Sequence, residues 1–428
     1  MSATGQATVN LITLGHVAHG KSSLLHALTG VRTAKHRDEK ARNMTIRLGY
    51  ANLKVFRCPA CPPPGCFQPF PSAQTTCPPC RACGAETQFE RHFSFVDAPG
   101  HAKYAPTVLA GIPNVDAAIL LVAANEPCPM PQTDEHVASA AMLSPGLMRN
   151  LIVCQNKVDL CTLEESAANK AELVQFLAAA GVSTDRVVPI CANLGYNVDV
   201  VCQYLCAIPV QARDVDAPPR IHAIRSFDIN RPGASVDALC GGVVGGNLVC
   251  GVLRPGDVLE IRPGLVLRNG AVTPLRTRVV SLRSEQTELA AARPGLIAIQ
   301  LTVDPALAKE DRMVGHVLGP PGTLPPVFRR VKVRLARKMK RLCDKAPAKA
   351  PQVGERLLAS CVSMKTKCTV LAVEHKTVEL RFDLPACADI GAKVALMRAS
   401  EAGQWRLLAS AHVVALVPLE LTSAAAPP

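Results

Sequence analysis

The sequence predicts a multidomain chain, α/β first and all-β afterwards, on three observations. Residues 9–207 alternate short apolar runs with helix-like stretches, the rhythm of a parallel sheet covered on both faces. Residues 221–416 carry only short β-like runs broken by Gly and Pro, the spacing of closed barrels. The composition, 428 residues with 48% hydrophobic side chains, is that of a chain with ample core.

In the first region the β-like runs are Val9–Leu14, Phe93–Asp97, Ala117–Val122, Leu151–Gln155 and Val187–Ile190. The helix-like stretches include Ser22–Gly30, Thr133–Leu143, Glu164–Ala180 and Val198–Ala207. Thr133 with Glu135 and His136 resembles a helix start, and Gly181 a stop. After the first run comes Gly15-His16-Val17-Ala18-His19-Gly20-Lys21-Ser22, a phosphate loop of the form G-x-x-x-x-G-K-[ST] between strand and helix. Its glycines let successive N–H groups of Ala18, His19, Gly20 and the following Ser23 curl around phosphate oxygens. The helix N-terminus adds a positive end. Lys21 is placed to reach the β- and γ-phosphates, and the Ser22 hydroxyl to ligate Mg2+.

Between residues 56 and 86, Cys58-x2-Cys61 and Cys80-x2-Cys83 form two knuckles, the second closed by Gly84. Four thiolates at this spacing suit a closed, structural Zn2+ site, with Cys66 and Cys77 as spare thiols that could alternate as ligands. Next, Asp97-Ala98-Pro99-Gly100-His101 ends an apolar run. An acidic residue there can hold Mg2+ through water, the Gly100 N–H can sense a γ-phosphate, and His101 can lie near the attacking water. Asn156-Lys157-Val158-Asp159 follows the Leu151–Gln155 run. The Asp159 carboxylate can accept two bonds from guanine, a pair that adenine does not offer, while Asn156 supports the loop and the Lys157 stem packs on the base. Cys191-Ala192-Asn193 follows the fifth run, where the Ala192 N–H can meet guanine O6. Four signals in order on successive strand ends describe a GTP/GDP site. The fold class is a P-loop GTPase domain with a zinc-knuckle insertion, followed by two β-barrel domains.

These strings resemble translational GTPases. With Arg42–Ala51, Asn125–Thr133, Arg225–Gly233, Gly241–Gly246, Arg262–Gly264 and Asp311–Gly315, the chain resembles more narrowly the family of gamma subunits of eukaryotic and archaeal translation initiation factor two. The resemblance implies a heterotrimer with alpha- and beta-type subunits that carries initiator methionyl-tRNA to the small ribosomal subunit when GTP is bound. It also implies GTPase-activating and nucleotide-exchange factors as partners. Thr45 corresponds to the switch threonine that binds Mg2+ and the γ-phosphate, and His101 to the histidine that positions the hydrolytic water. Two departures bear on turnover. Ala102–Thr107 is closer to an elongation factor, with Pro106 where a switch helix begins, and Met44 stands before Thr45, facing Val17 in an apolar gate around His101. Cys191 and Asn193 also replace the usual residues of the guanine-supporting loop. Slow intrinsic hydrolysis follows. Two alternatives compete: a specialised elongation GTPase of the selenocysteine type, which expects a long C-terminal extension, and a GTP-binding scaffold that does not hydrolyse.

Pro209–Pro219 reads as a linker. The next runs are Ile221–Phe227, Gly241–Val244, Val258–Ile261, Arg276–Leu282 and Leu296–Leu301, with Gly251–Ile261 read as a hairpin. The last set is Val331–Leu335, Gly354–Val362, Thr369–Val373, Thr377–Phe382, Lys393–Met397 and Trp405–Leu416. The expected domains are 1–209, 219–327 and 328–420, with a frayed tail at 421–428. Net charge is +13, and the run from Arg329 to Lys349 holds ten Lys or Arg against one acidic residue, Asp344, which points to RNA. No apolar run is long enough for a bilayer, and Met1–Thr8 lacks the basic and apolar parts of a signal peptide. A cytoplasmic protein with no membrane partner is expected, its eighteen cysteines mostly reduced.

Overall fold

The computed structural model describes residues 5–33, 45, 48–184, 186–231, 233, 235, 239–285, 287–338, 349–400 and 403–422. The switch residues Arg42–Met44 with Ile46 and Arg47, residues 339–348 of the basic run, and residues 423–428 lie outside this set. The chain divides into two compact units, one built on residues 1–211 and one on 212–338 with most of the residues after 348.

The first unit is a seven-stranded sheet. Its strands are β1 (Val9–Gly15), β2 (Gly49–Arg57), β3 (Phe67–Pro71), β4 (Gln88–Asp97), β5 (Ala117–Ala123), β6 (Leu151–Asn156) and β7 (Val187–Pro189), in the order β3-β2-β4-β1-β5-β6-β7. From β4 to β7 all neighbours run parallel. The far edge departs from the expected parallel sheet, because β2 runs antiparallel to β4 and β3 antiparallel to β2. The short turn from Cys58 to Cys66 joins β2 directly to β3, and a turn of that length allows only an antiparallel return. Pro69 and Pro71 lie in β3, where an edge strand tolerates them.

Every residue of β1 and β5 is buried, so these two strands form the spine of the domain. Helix α1 (Lys21–Thr29) packs Leu24, Leu25 and Leu28 into the same core. Each such leucine contributes about 1.5–3 kcal/mol of burial. Helix α1 ends at Gly30, left-handed at φ 72°, whose N–H reaches the His26 carbonyl. The next helices are α2 (Ala105–Gly111), α3 (Pro131–Leu143), α4 (Pro145–Arg149), α5 (Leu163–Ala179) and α6 (Val198–Cys206). Pro106 falls in the first turn of α2, where its missing N–H costs nothing. Helix α3 begins at Pro131 rather than Thr133, proline supplying the start. Thr162 and Glu165 form a reciprocal capping box at the start of α5. No described helix is long and apolar enough to cross a membrane.

The second unit contains two barrels. The first has β8 (Arg220–Phe227), β9 (Val243–Cys250), β10 (Val258–Val266), β11 (Val272–Ser284), β12 (Thr287–Glu288), β13 (Gly295–Leu301) and β14 (Val317–Gly319). Their order is β10-β14-β8-β9-β13-β11-β12, and pairing of β10 with β11 closes the ring. Residues 251–261 are therefore not a hairpin: β9 and β10 are not neighbours, and the turn only redirects the chain. The two family strings on β8 and before β14 form one knot. Asp311, left-handed at φ 63°, accepts from Arg225 Nε (2.9 Å) and Ser226 N (3.0 Å), while Met313 N donates to Ser226 Oγ (3.1 Å).

The second barrel is closed in the order β15 (Val327–Lys338), β18 (Thr377–Cys387), β17 (Met364–Glu374), β16 (Arg356–Cys361), β19 (Lys393–Ala399), β20 (Trp405–Pro418). On β15, Val331 and Val333 are buried while Arg330, Lys332 and Arg334 face solvent, the period-two alternation of a barrel wall. Arg220 pairs with Asp389 (2.7 Å), and Arg262 Nη1 donates to the carbonyls of Leu324 and Pro325, joining the barrels. The chain also returns to the first barrel. Thr422 N donates to Val272 O (3.1 Å), and the Thr422 and Thr273 hydroxyls lie 2.6 Å apart, so Leu421 and Thr422 are not a frayed tail.

Candidate functional site

The predicted nucleotide residues with described positions lie at the carboxyl ends of β1, β4, β6 and β7, the edge where open parallel sheets bind ligands, except Thr45, which precedes β2. The loop after β1 curls through left-handed residues, Ala18 at φ 62° and Gly20 at φ 93°, before α1 begins at Lys21, with Ser22 and Ser23 in its first turn. A Cβ on Gly20 would lie 2.1 Å from Asn156 Nδ2, so only glycine lets the two loops approach. The same holds for Gly100, whose Cβ would stand 2.6 Å from Lys21 Nζ and 2.9 Å from Val17 N. Lys21 is 6% exposed, and its ammonium donates to the carbonyls of Gly15 (3.1 Å) and His16 (2.6 Å). Burial draws its pKa down to about 8, against the pull of Asp97.

Asp97 gathers hydroxyls. Its Oδ1 accepts from Thr13 (3.0 Å), and its Oδ2 from Ser22 (2.6 Å), Thr33 (2.5 Å) and Thr45 (3.4 Å). Ser22 Oγ and Thr45 Oγ1 lie 3.1 Å apart. Hard oxygen donors converging on one carboxylate are the donor set that Mg2+ takes. His101 is exposed beyond this cluster, its Nδ1 accepting from Lys103 N (3.2 Å).

At the base-recognition end, Asn156 is a buried cross-tie. Its Nδ2 donates to His19 O (2.9 Å) and its Oδ1 accepts from Ala192 N (3.1 Å). The Ala192 N–H, expected to face guanine, is thus engaged with Asn156. Lys157 is left-handed at φ 63°, and Asp159 is exposed in the turn that follows. The pKa of the Cys191 thiol is raised, by burial first and then by the Asp159 carboxylate. Asn193 is exposed in the same loop.

Three further residues bear on this site: Thr33, outside every motif, and His136 and Glu126, which lie in strings read for other reasons. Thr33 donates to Asp97, as above. His136, wholly buried on α3, accepts from Gly15 N at Nδ1 (3.1 Å), and burial pushes it down to about 3, so it stays neutral and can hold the loop. Glu126, just past β5, pairs with His19 Nε2 (3.1 Å) and Lys157 Nζ (3.4 Å). Burial opposes its charge, yet His19 and Lys157 hold the carboxyl below its ordinary value. Glu126 lies in the Asn125–Thr133 string, and its position added a second signal, since the loop after a central parallel strand is where such sites collect.

The ligand atoms of Cys58, Cys61, Cys80 and Cys83 all lie within 4.8 Å of one another. Cys58 and Cys83 sulfurs are 3.5 Å apart, and Cys61 and Cys80 3.7 Å. Tetrahedral zinc–thiolate bonds of about 2.3 Å require sulfurs about 3.8 Å apart, so the quartet fits. The backbone N–H groups of Cys83 and Ala82 draw the Cys80 thiol down to about 6, and Gln68 Nε2 also donates to it (3.0 Å). Gly84, at φ 74°, closes the knuckle. Cys66 and Cys77 stand outside the quartet.

The elongation factor Tu GTP binding domain family matches residues 6–211, and the family described as initiation factor eIF2 gamma, C terminal, matches residues 329–413. The chain is 42% identical to eukaryotic translation initiation factor 2 subunit gamma of Schizosaccharomyces pombe, over 96% of this chain and 94% of that protein. It is 40% identical to eukaryotic translation initiation factor 2 subunit 3 of Drosophila melanogaster, over 94% and 88%. Among solved structures, a bacterial selenocysteine-specific elongation factor EF-Sec superposes with TM-score 0.69 at 20% identity, over 95% of this chain and only 58% of that one. Translation elongation factor SelB from Methanococcus maripaludis, with the GTP analogue GppNHp, gives 0.68 at 18% identity over 97% and 80%. At such identities the likeness is one of fold.

Proposed function

The chain belongs to the family of gamma subunits of translation initiation factor two, and from that premise we propose that it delivers initiator methionyl-tRNA to the small ribosomal subunit in its GTP state. It is a GTP-binding translation initiation factor subunit and a translational GTPase. In the proposed cycle it works in the cytoplasm with alpha- and beta-type subunits, and hydrolysis stimulated by an activating protein ends delivery. Exchange of GDP for GTP, assisted by a further factor, resets it. The domains in this reading are 1–209, 219–327 and 328–420.

The observation that carries the reading is the meeting of Thr45 with Ser22 and Asp97, which supports a switch segment ordered around Mg2+ and the γ-phosphate. The ion supplies charge neutralisation between the phosphates when bound. Lys21 holds the β- and γ-phosphates, with the N–H groups of Ala18, His19, Gly20 and Ser23 along the chain of oxygens. Gly100 N–H meets the γ-phosphate, and with His101 Nδ1 engaged by Lys103 N–H, Nε2 is the nitrogen left to orient water. Asp159 reads guanine, Asn156 and Ala192 brace it, and Lys157 covers the base. Zn2+ in the Cys58–Cys61–Cys80–Cys83 quartet is structural, since four thiolates leave no open position.

The test is binding of initiator methionyl-tRNA with a non-hydrolysable GTP analogue and with GDP, at two salt concentrations, with an elongator tRNA as control. A preference for GTP and for initiator tRNA is expected, and reciprocity requires that tRNA tighten GTP by the same factor. Equal, salt-sensitive binding of every tRNA in both states would leave only a basic surface and overturn the carrier role.

A further inference from the structure

We propose that Glu126 is a positioning residue that ties the base-recognition loop to the phosphate loop through a proton held at His19, and so sets how fast guanine nucleotide leaves. The proposal rests on the reading of the pocket as a GTP site. Its geometry is built in advance. The Glu126 backbone carbonyl accepts from Asn169 Nδ2 (2.8 Å), and Asn169 Oδ1 accepts from Gln155 Nε2 (2.9 Å), so the residue is fixed between β6 and α5. From there one carboxylate oxygen meets Lys157 of the base loop and the other meets His19 of the phosphate loop.

His19 is fully buried between two acceptors. Its Nδ1 lies 3.2 Å from the Leu121 carbonyl and its Nε2 3.1 Å from the Glu126 carboxylate. A neutral imidazole has one N–H and can donate to only one of them; the imidazolium donates to both. Protonation therefore satisfies both acceptors at once and completes the link from Lys157 through Glu126 to His19, whereas the neutral ring turns a lone pair toward either the Leu121 carbonyl or the carboxylate. Burial lowers the His19 pKa first of all and Lys21 adds to this, while the Leu121 carbonyl and Glu126 favour the charge; the ring of His16 lies 5.3 Å away. Phosphate oxygens in the loop would favour the charged ring, so nucleotide binding and proton uptake at His19 are coupled.

Glu126→Gln separates this from a merely structural contact. A carboxamide fills the same space and can donate through its nitrogen to a neutral ring, so it keeps the shape and removes the need for the proton. Release of labelled GDP from the full chain is measured from about pH 5.5 to about pH 8, with melting of each protein as a control on folding. The wild type should release GDP more slowly as pH falls. Glu126→Gln, linked at every pH, should match the wild type near the acid end and release GDP about five- to tenfold more slowly near the alkaline end. A wild-type profile flat in pH overturns the proposal without any variant. Equal rates in the two proteins at every pH, or a variant faster or slower by one constant factor throughout, overturns it also. Failure of the wild type to bind guanine nucleotide at all would instead overturn the assignment of the pocket.

Discussion

Lys21 makes nucleotide affinity a function of pH with a sign fixed by its burial. In the folded protein its pKa falls from 10.5 to about 8, which corresponds to about 3 kcal/mol of disfavoured charge. Phosphate oxygens beside the ammonium favour the charged form and return it toward its ordinary value. The nucleotide-bound state thus binds more protons than the free state above about pH 8, and affinity must fall as pH rises through that point. At about pH 9 the loss is about tenfold, or about 1.4 kcal/mol, while below about pH 7 the affinity is flat with respect to this group. The assay is equilibrium binding of labelled GDP at stepped pH, beside Lys21→Arg, whose guanidinium keeps its proton throughout. The variant is expected to bind more weakly but without the alkaline fall. Parallel profiles for the two proteins would refute the reasoning. Folding stability of the nucleotide-free protein should move the other way. Between about 8 and 10.5 the unfolded chain holds more protons at this lysine, so stability rises with pH across the window.

Three further outcomes are expected. Protein purified without chelator should carry about one zinc per chain, and Cys80→Ser should lose it, by metal analysis; retention of full occupancy would place the metal elsewhere. Asn156→Ala removes two buried bonds, to His19 O and from Ala192 N, and should weaken GDP binding by about 2–4 kcal/mol in titration calorimetry; a loss under about threefold would mean the cross-tie is not used. His101→Ala should keep GTP affinity within about twofold and abolish partner-stimulated turnover, and unchanged phosphate release would remove it from the hydrolytic role.

The spine of the first domain was legible because β5 is an unbroken apolar run and β1 is apolar but for Asn10 and Thr13, and the motif residues at their ends inherit their position from the strands. The β2–β3 edge was not. Lys54, on β2, is buried with its Nζ donating to Gln74 O, and β3 contains two prolines, so neither strand reads as apolar alternation. Lys21, Asp97 and Asn156 could be named from spacing alone, since their chemistry belongs to short strings. Glu126 could not be assigned a partner, because His19 is 107 residues away in sequence. What brings them together is the parallel register that sets Gly15 opposite Leu121. Which strands become neighbours is a tertiary choice, and no local pattern carries it. The Gly251–Ile261 hairpin failed for the same reason: a turn between two runs says nothing about whether those runs pair in a barrel.

The return of Leu421 and Thr422 to the first barrel has a consequence for synthesis. The acceptor at Val272 leaves the translating machinery 150 residues before the hydroxyl that caps it. At about 5–20 residues per second that interval is roughly 8–30 s. Throughout it the start of β11 presents an uncapped backbone carbonyl to whatever else is nearby, including other nascent chains. The first barrel acquires its last contact only when the second has been made. A ribosome that stalls within the second barrel therefore leaves the earlier one exposed as well, and quality control would meet two incomplete barrels rather than one.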